Sequence, residues 1–213
     1  MTSAMARVMS LLLVGTLTLV FAVPAAADSV TLTGVSGNVQ GGVYTSPYFL
    51  SINGGPDVAV MCVDFDHHVT VGESWDATLT SMTGDLSNTR LGASGFATYR
   101  EEAWLYQQFL NGAASSGDIN YAVWALTAPD AMTSAGWSVG AQNWFNLATT
   151  TDLTGFDSTM VKFTIITPND LSGEGPQEFL STAVVVPTPE PGGLFLLGGG
   201  MLGLAGFARK KIH

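Results

Sequence analysis

Residues 43–65 read Val-Tyr-Thr-Ser-Pro-Tyr-Phe-Leu-Ser-Ile-Asn-Gly-Gly-Pro-Asp-Val-Ala-Val-Met-Cys-Val-Asp-Phe. Within this stretch, residues 43–52 and 57–65 are rich in aromatic and β-branched side chains, which suit a pleated, half-buried surface. Asn53-Gly54-Gly55-Pro56 stands between them, and Asn-Gly tolerates the positive φ angles of a tight hairpin turn. The stretch therefore predicts an antiparallel β-hairpin. Upstream, residues 29–33 alternate apolar and polar side chains and predict a strand; downstream, residues 68–80 predict another, interrupted at Gly72.

The period then changes. Phe96, Tyr99, Ala103, Tyr106 and Leu110 recur at spacings of three and four, the stripe of an amphipathic helix, and Asn111-Gly112 supplies its stop. Asp118 reads as the N-cap of a second helix over residues 119–126, closed by Pro129. A third helix is expected over residues 139–148, and strands return at 161–167 and 179–186. Strands, a helical insert, then strands again predict an α+β domain with an antiparallel sheet or sandwich. No internal repeat is evident.

Composition divides the 213-residue chain into three parts. Charged residues make up 11% of it, against about a quarter in an average globular chain. Residues 1–27 carry Arg7, an apolar run from Val8 to Val23, Pro24, and Ala25-Ala26-Ala27. A basic start, an apolar core and a small-residue site are the pattern of a secretory signal peptide, with Ala25 and Ala27 flanking cleavage before Asp28. The alternative is an uncleaved membrane anchor. Residues 187–213 hold Pro189-Glu190-Pro191, an apolar Gly- and Leu-rich run over Gly192–Ala208, and the basic cluster Arg209-Lys210-Lys211. That run is at the short end of a membrane span, and the cluster predicts a cytoplasmic terminus and a stop-transfer helix.

The tail resembles the PEP-CTERM sorting signal, on Pro189-Glu190-Pro191, the Gly- and Leu-rich helix and Arg209-Lys210-Lys211 taken in that order. The resemblance implies an exosortase-type membrane protease as partner and cleavage near the Pro-Glu-Pro. It also implies residence in the envelope membrane before processing, and release to the cell surface of a Gram-negative-type host that makes exopolysaccharide.

The remaining residues, 28–186, form the working domain. They carry all acidic residues of the chain except Glu190, and as strong bases only Arg90, Arg100 and Lys162, for a formal charge of −13. Nucleic acid is excluded as a partner, because binding phosphates needs clustered Lys and Arg. Cys62 is the one cysteine of the chain. A single thiol in an exported domain reads as a buried inert residue, half of an intermolecular disulfide, or a reactive centre.

Chemistry-bearing side chains concentrate in Met61-Cys62-Val63-Asp64-Phe65-Asp66-His67-His68. Asp64, Asp66, His67 and His68 are metal-ligand types, but neighbours along a strand face opposite ways, so solvated residues at a strand end are expected and no metal or cofactor. The alternative to a binding role is a secreted hydrolase, using Cys62 with His67 or His68 as a nucleophile–base pair, or the Asp64–His68 cluster. No Gly-x-Ser-x-Gly elbow occurs in the domain, and Glu101-Glu102 is expected on a solvated helix face.

Residues 40–165 resemble the thioester domain of bacterial surface adhesins. The strand Val60-Met61-Cys62-Val63-Asp64 matches that family's Cys strand, and Asp118-Ile119-Asn120-Tyr121-Ala122-Val123-Trp124 matches its Gln-x-Ala-Ile-Trp-like helix. The resemblance implies an internal Cys–Gln thioester, a masked electrophile that tethers a partner's amine. Here Asn120 stands where the family has Gln, one methylene shorter, making Cys62 and Asn120 a degenerate thioester pair. Export, sorting and this domain together point to a structural or adhesive protein of exopolysaccharide or biofilm.

Overall fold

The computed structural model describes residues 27–182. The signal segment up to Ala26, the last residues of the expected 179–186 strand, the Pro189-Glu190-Pro191 motif, the apolar run and Arg209-Lys210-Lys211 lie outside the described residues. Among the described residues no helix is long and apolar enough to cross a membrane.

Among the described residues eight strands form: β1 (Asp28–Val35), β2 (Val39–Gln40), β3 (Val43–Tyr44), β4 (Tyr48–Ile52), β5 (Val58–Cys62), β6 (Ser74–Ser81), β7 (Thr164–Pro168) and β8 (Phe179–Ser181). Six close into an antiparallel barrel in the order β1-β4-β5-β8-β7-β6, and β2 and β3 make a separate two-stranded ribbon. The α+β class stands, but the antiparallel sheet or sandwich expected from the sequence is corrected to a closed six-stranded barrel. Closure removes free edges, which small antiparallel sheets otherwise have to protect.

The expected hairpin is β4–β5, with Tyr48 opposite Val60 and Leu50 opposite Val58. Its turn has Asn53 at φ 53° and Gly54 at φ 69°, the left-handed pair that the Asn-Gly signal predicts. Several strand boundaries differ from the expected ones, and the 57–65 strand ends at Cys62. The 43–52 run is split into β3 and β4 by a cis Ser46–Pro47 peptide. The expected 68–80 strand starts at Ser74, because residues 68–73 form a loop with Gly72 at φ 93°.

Three helices sit between β6 and β7: α1 (Phe96–Leu110), α2 (Ser116–Ala125) and α3 (Val139–Thr150). The first has the predicted bounds and ends at Gly112, φ 70°. The second starts earlier than expected, since Ser115 is the N-cap and its Oγ accepts from the Asp118 backbone N–H at 3.2 Å. Asp118 is instead a first-turn residue that takes the Ser138 hydroxyl at the start of α3. A 3₁₀ stretch, Thr154–Lys162, replaces the beginning of the expected 161–167 strand.

Strand β5 carries the arrangement. Val60 and Cys62 point into the barrel with Val30, Leu50, Ile166 and Phe179, while Met61 points outward with Leu180 and Ile165 onto α1 and α2. Alternation on one strand thus feeds two apolar clusters, one inside the barrel and one under the helices. Tyr121, Trp124 and Ala125 of α2 join the barrel cluster, and Ile119, Ala122 and Val123 the helix-side one. Helix α2 is therefore buried nearly all round, and that brings Asn120 against β5.

Candidate functional site

Asn120 and Cys62 are both fully buried. The Asn120 Nδ2 donates to the Cys62 backbone carbonyl at 2.9 Å, and its Oδ1 accepts from the Ser46 N–H at 2.7 Å. The β4–β5 register explains this. Tyr48 faces Val60, so continued pairing would set Ser46 opposite Cys62. Pro47 offers no N–H to extend the ladder, and the chain turns away at the Ser46–Pro47 peptide. The Asn120 carboxamide, with a donor and an acceptor like a peptide group, fills the missing rung. The Ser46 Oγ also accepts from the Cys62 N–H at 3.3 Å.

The thiol points elsewhere, with Cys62 Sγ donating to the Asp64 carbonyl at 3.1 Å. Gln177 Nε2 donates to that same oxygen at 3.0 Å. Burial pushes the thiol up to about 12, so the thiolate that nucleophilic chemistry requires is not formed at neutral pH. Among the described residues no hydrogen bond joins Cys62 to His67 or His68.

Just beyond β5 the chain builds a buried charged cluster. Asp64 is 8% exposed, a correction to the solvated strand end expected from the sequence. Its Oδ1 lies 2.7 Å from His67 Nδ1. Its Oδ2 lies 2.8 Å from Arg90 Nε, an ion pair whose N–H is not aligned for a hydrogen bond. Arg90 Nη1 stands 3.4 Å from His67 Nε2. Arginine only donates, so that His67 nitrogen is the acceptor and the ring proton sits on Nδ1, facing Asp64. Both His67 nitrogens are thereby engaged. His68 faces away into a separate cleft of about 460 Å³, which Tyr44, Tyr48, Phe65, Trp124 and Gln177 also line.

Glu178 completes the cluster. It accepts from Tyr99 Oη at 2.7 Å, Thr167 Oγ1 at 2.6 Å and the Arg90 backbone N–H at 3.1 Å. Burial raises its carboxyl above the ordinary value, and these hydrogen bonds oppose the rise. Among the described residues no three His, Cys, Asp or Glu side chains are grouped to hold a metal ion.

Glu102 differs from both. Helix α1 was expected to present Glu101-Glu102 to solvent, yet Glu102 is 1% exposed and neither carboxylate oxygen has a hydrogen-bond partner. It shares the buried face of α1 with Tyr99, Ala103 and Tyr106, three or four residues away or adjacent. Burial holds its carboxyl well above the ordinary value, and the charges of Glu178, Glu101 and Asp64 act in the same direction. Its neutral form therefore persists to higher pH than that of a surface carboxyl.

This has a thermodynamic sign. As pH rises through the ordinary glutamic-acid range, about 4.3, the unfolded chain loses this proton while the folded chain keeps it, so stability falls with rising pH. Glu102→Gln is expected to match the parent in urea midpoint near pH 4 and to exceed it near pH 7. Glu178 acts in the same direction and leaves part of the slope in place. Parallel midpoint-versus-pH curves for the two proteins would refute this.

The sequence singled out Cys62, Asn120, Asp64, Asp66, His67 and His68. The structure joins Cys62 to Asn120 and Asp64 to His67, leaves Asp66 exposed, and separates His68 from His67. Ser46, Arg90, Glu102, Gln177 and Glu178 were not anticipated. Of these, Arg90 carried a usable signal: it is one of three bases in a domain of formal charge −13, so an acidic partner for it was to be expected.

No protein-family model, curated protein or solved structure matches the chain.

Proposed function

We propose that the chain is an exported cell-surface or extracellular-matrix protein, sorted through its C-terminal segment by an exosortase-type protease, with a domain that acts as a structural or adhesive module in exopolysaccharide or biofilm. The terminal segments supply the address. The observation that carries the non-enzymatic part is the enclosure of the candidate nucleophile: Cys62 is fully buried, and its thiol is held in the neutral form. His67, the nearer candidate base in sequence, has both nitrogens engaged.

The adhesin resemblance is consistent with a shared scaffold whose thioester has been replaced by a clamp. Forming the bond would expel the Asn120 amide nitrogen as ammonia, and that nitrogen is the one that donates to the Cys62 carbonyl. The thiol would have to leave the Asp64 carbonyl as well.

Intact mass of the protein recovered from a host with such a protease tests the proposal. The expected species starts at Asp28, ends near Pro189–Pro191, has its full mass between those ends, and carries a thiol that reacts with a disulfide reagent only after unfolding. A mass short by one ammonia, restored by methylamine, would reinstate the covalent tether. A species that keeps the basic terminus in that host would remove the sorting reading. A hydrolase activity abolished by Cys62→Ala would favour the enzyme.

A further inference from the structure

Beside the Asp64–Arg90 pair lies a recess of about 140 Å³, and Glu102 is part of its wall. A buried carboxyl with two unpartnered oxygens calls for an explanation, because nearly all buried polar atoms find partners. The neighbouring carboxylates are taken: Asp64 by His67 and Arg90, Glu178 by Tyr99, Thr167 and the Arg90 N–H. Among the acids lining the recess Glu102 alone is both buried and unpartnered. Four acids, Asp64, Asp66, Glu102 and Glu178, face one arginine there, so the recess favours a cationic guest.

Its size and walls narrow the guest further. At about 140 Å³ the recess is small beside ordinary ligand clefts of roughly 300–1,000 Å³. A hard divalent cation of the calcium class needs six to eight converging oxygens, and no three acidic, His or Cys groups are so arranged among the described residues. An ammonium head needs only up to three acceptors. Val63, Phe65 and Leu91 supply apolar wall for a methylene stem, and the exposed Asp66 and Thr127 stand at the rim.

We infer that this recess binds a primary alkylammonium group, with Glu102 as its buried counter-ion. The guest's charge stabilises ionised Glu102, so binding at neutral pH transfers one proton from the Glu102 carboxyl to buffer and leaves an ammonium–carboxylate pair. Glu178, Glu101 and Asp64 raise that carboxyl, the buried Cys62 thiol feels its charge, and His67, Arg90 and Asp66 are the other titratable groups lining the recess.

The test is calorimetric titration of the full chain with n-butylammonium chloride in two buffers of different ionisation enthalpy. Saturable binding with release of about one proton is expected, since the counter-ion starts neutral, while n-butanol does not bind. Glu102→Gln should weaken butylammonium at least roughly tenfold and abolish proton release, as loss of one partner of a buried charge pair does. Asp66→Asn, at the exposed rim, should weaken it by about two- to threefold and keep the proton release. Binding of Nα-acetyl-lysine amide with comparable affinity would identify a protein lysine as the source of the group; binding of butylammonium alone would identify a free amine. Equal binding by Glu102→Gln, equal binding of butanol, displacement of the amine by calcium, or no saturable binding would each overturn the inference. If Glu102→Gln does not fold, absence of proton release from the parent chain overturns it.

Discussion

Asp64→Ala is expected to lower the unfolding free energy by about 3–5 kcal/mol, the cost of removing one partner from a buried ion pair. The Asp64 and Arg90 side chains are 8% and 13% exposed, so water does little to replace what is lost. The variant leaves the Arg90 guanidinium without its carboxylate. It also leaves His67 Nδ1 and the Glu178 backbone N–H, which lie 2.7 Å and 3.4 Å from Asp64 oxygens, without acceptors. Chemical denaturation at neutral pH measures the loss. The pair also predicts non-additivity. Once Asp64 is gone, removing Arg90 as well relieves an unpaired charge, so the double variant should be less damaged than the sum of the singles by at least about 1 kcal/mol. Asp64→Asn keeps an acceptor for His67 and should fall between parent and alanine. A loss below about 1 kcal/mol for Asp64→Ala, or strict additivity with Arg90→Ala, would reduce the cluster to a surface-type pair.

The cluster shows where a sequence stops being readable. Helix α1 was legible because its apolar stripe has helical spacing and its stop is a glycine, both local properties. The β4–β5 hairpin was legible for the same reason, through Asn53-Gly54. Barrel closure was not, because it depends on β8 pairing with β5 and β7, contacts between Phe179 and both Cys62 and Ile166 that no local period encodes. The burial of Glu102 was hidden in another way. Glutamate has good helix propensity and is almost always solvated, so a Glu-Glu pair reads as surface. Here the apolar stripe of α1 is wide enough to turn Glu102 inward. Asp64 was misread because three polar residues follow it closely. Its burial comes from Arg90 and Glu178, which arrive from far along the chain.

Asn120 lies between these extremes. The sequence paired it with Cys62 only through a resemblance; in the structure the atoms in contact are the Asn120 carboxamide and the Cys62 backbone carbonyl. A motif match fixes which segments meet more readily than which atoms do. Helix position is set by the apolar residues of α2, whereas the bond depends on the reach of one side chain.

Asn120→Ala is expected to destabilise the chain by about 3–5 kcal/mol. It strands two backbone groups, the Cys62 carbonyl and the Ser46 N–H, at about 1–3 kcal/mol each, and opens a cavity at a fully buried position. The comparison with Asn120→Asp separates the clamp from general packing. Aspartate has nearly the same volume and still accepts from Ser46 N–H, but it presents an oxygen to the Cys62 carbonyl where Nδ2 had donated. If the missing ladder rung is the role of this residue, Asp should be nearly as damaging as Ala at neutral pH and should recover part of the loss in acid, when protonation restores a donor. If packing is the role, Asp should be close to parent at every pH. Thermal or urea midpoints of the three chains near pH 4 and near pH 7 decide between them. The parent thiol count, taken after unfolding, is the companion measurement: a clamp leaves one free thiol per chain, since Asn120 then holds the strand in place through hydrogen bonds alone.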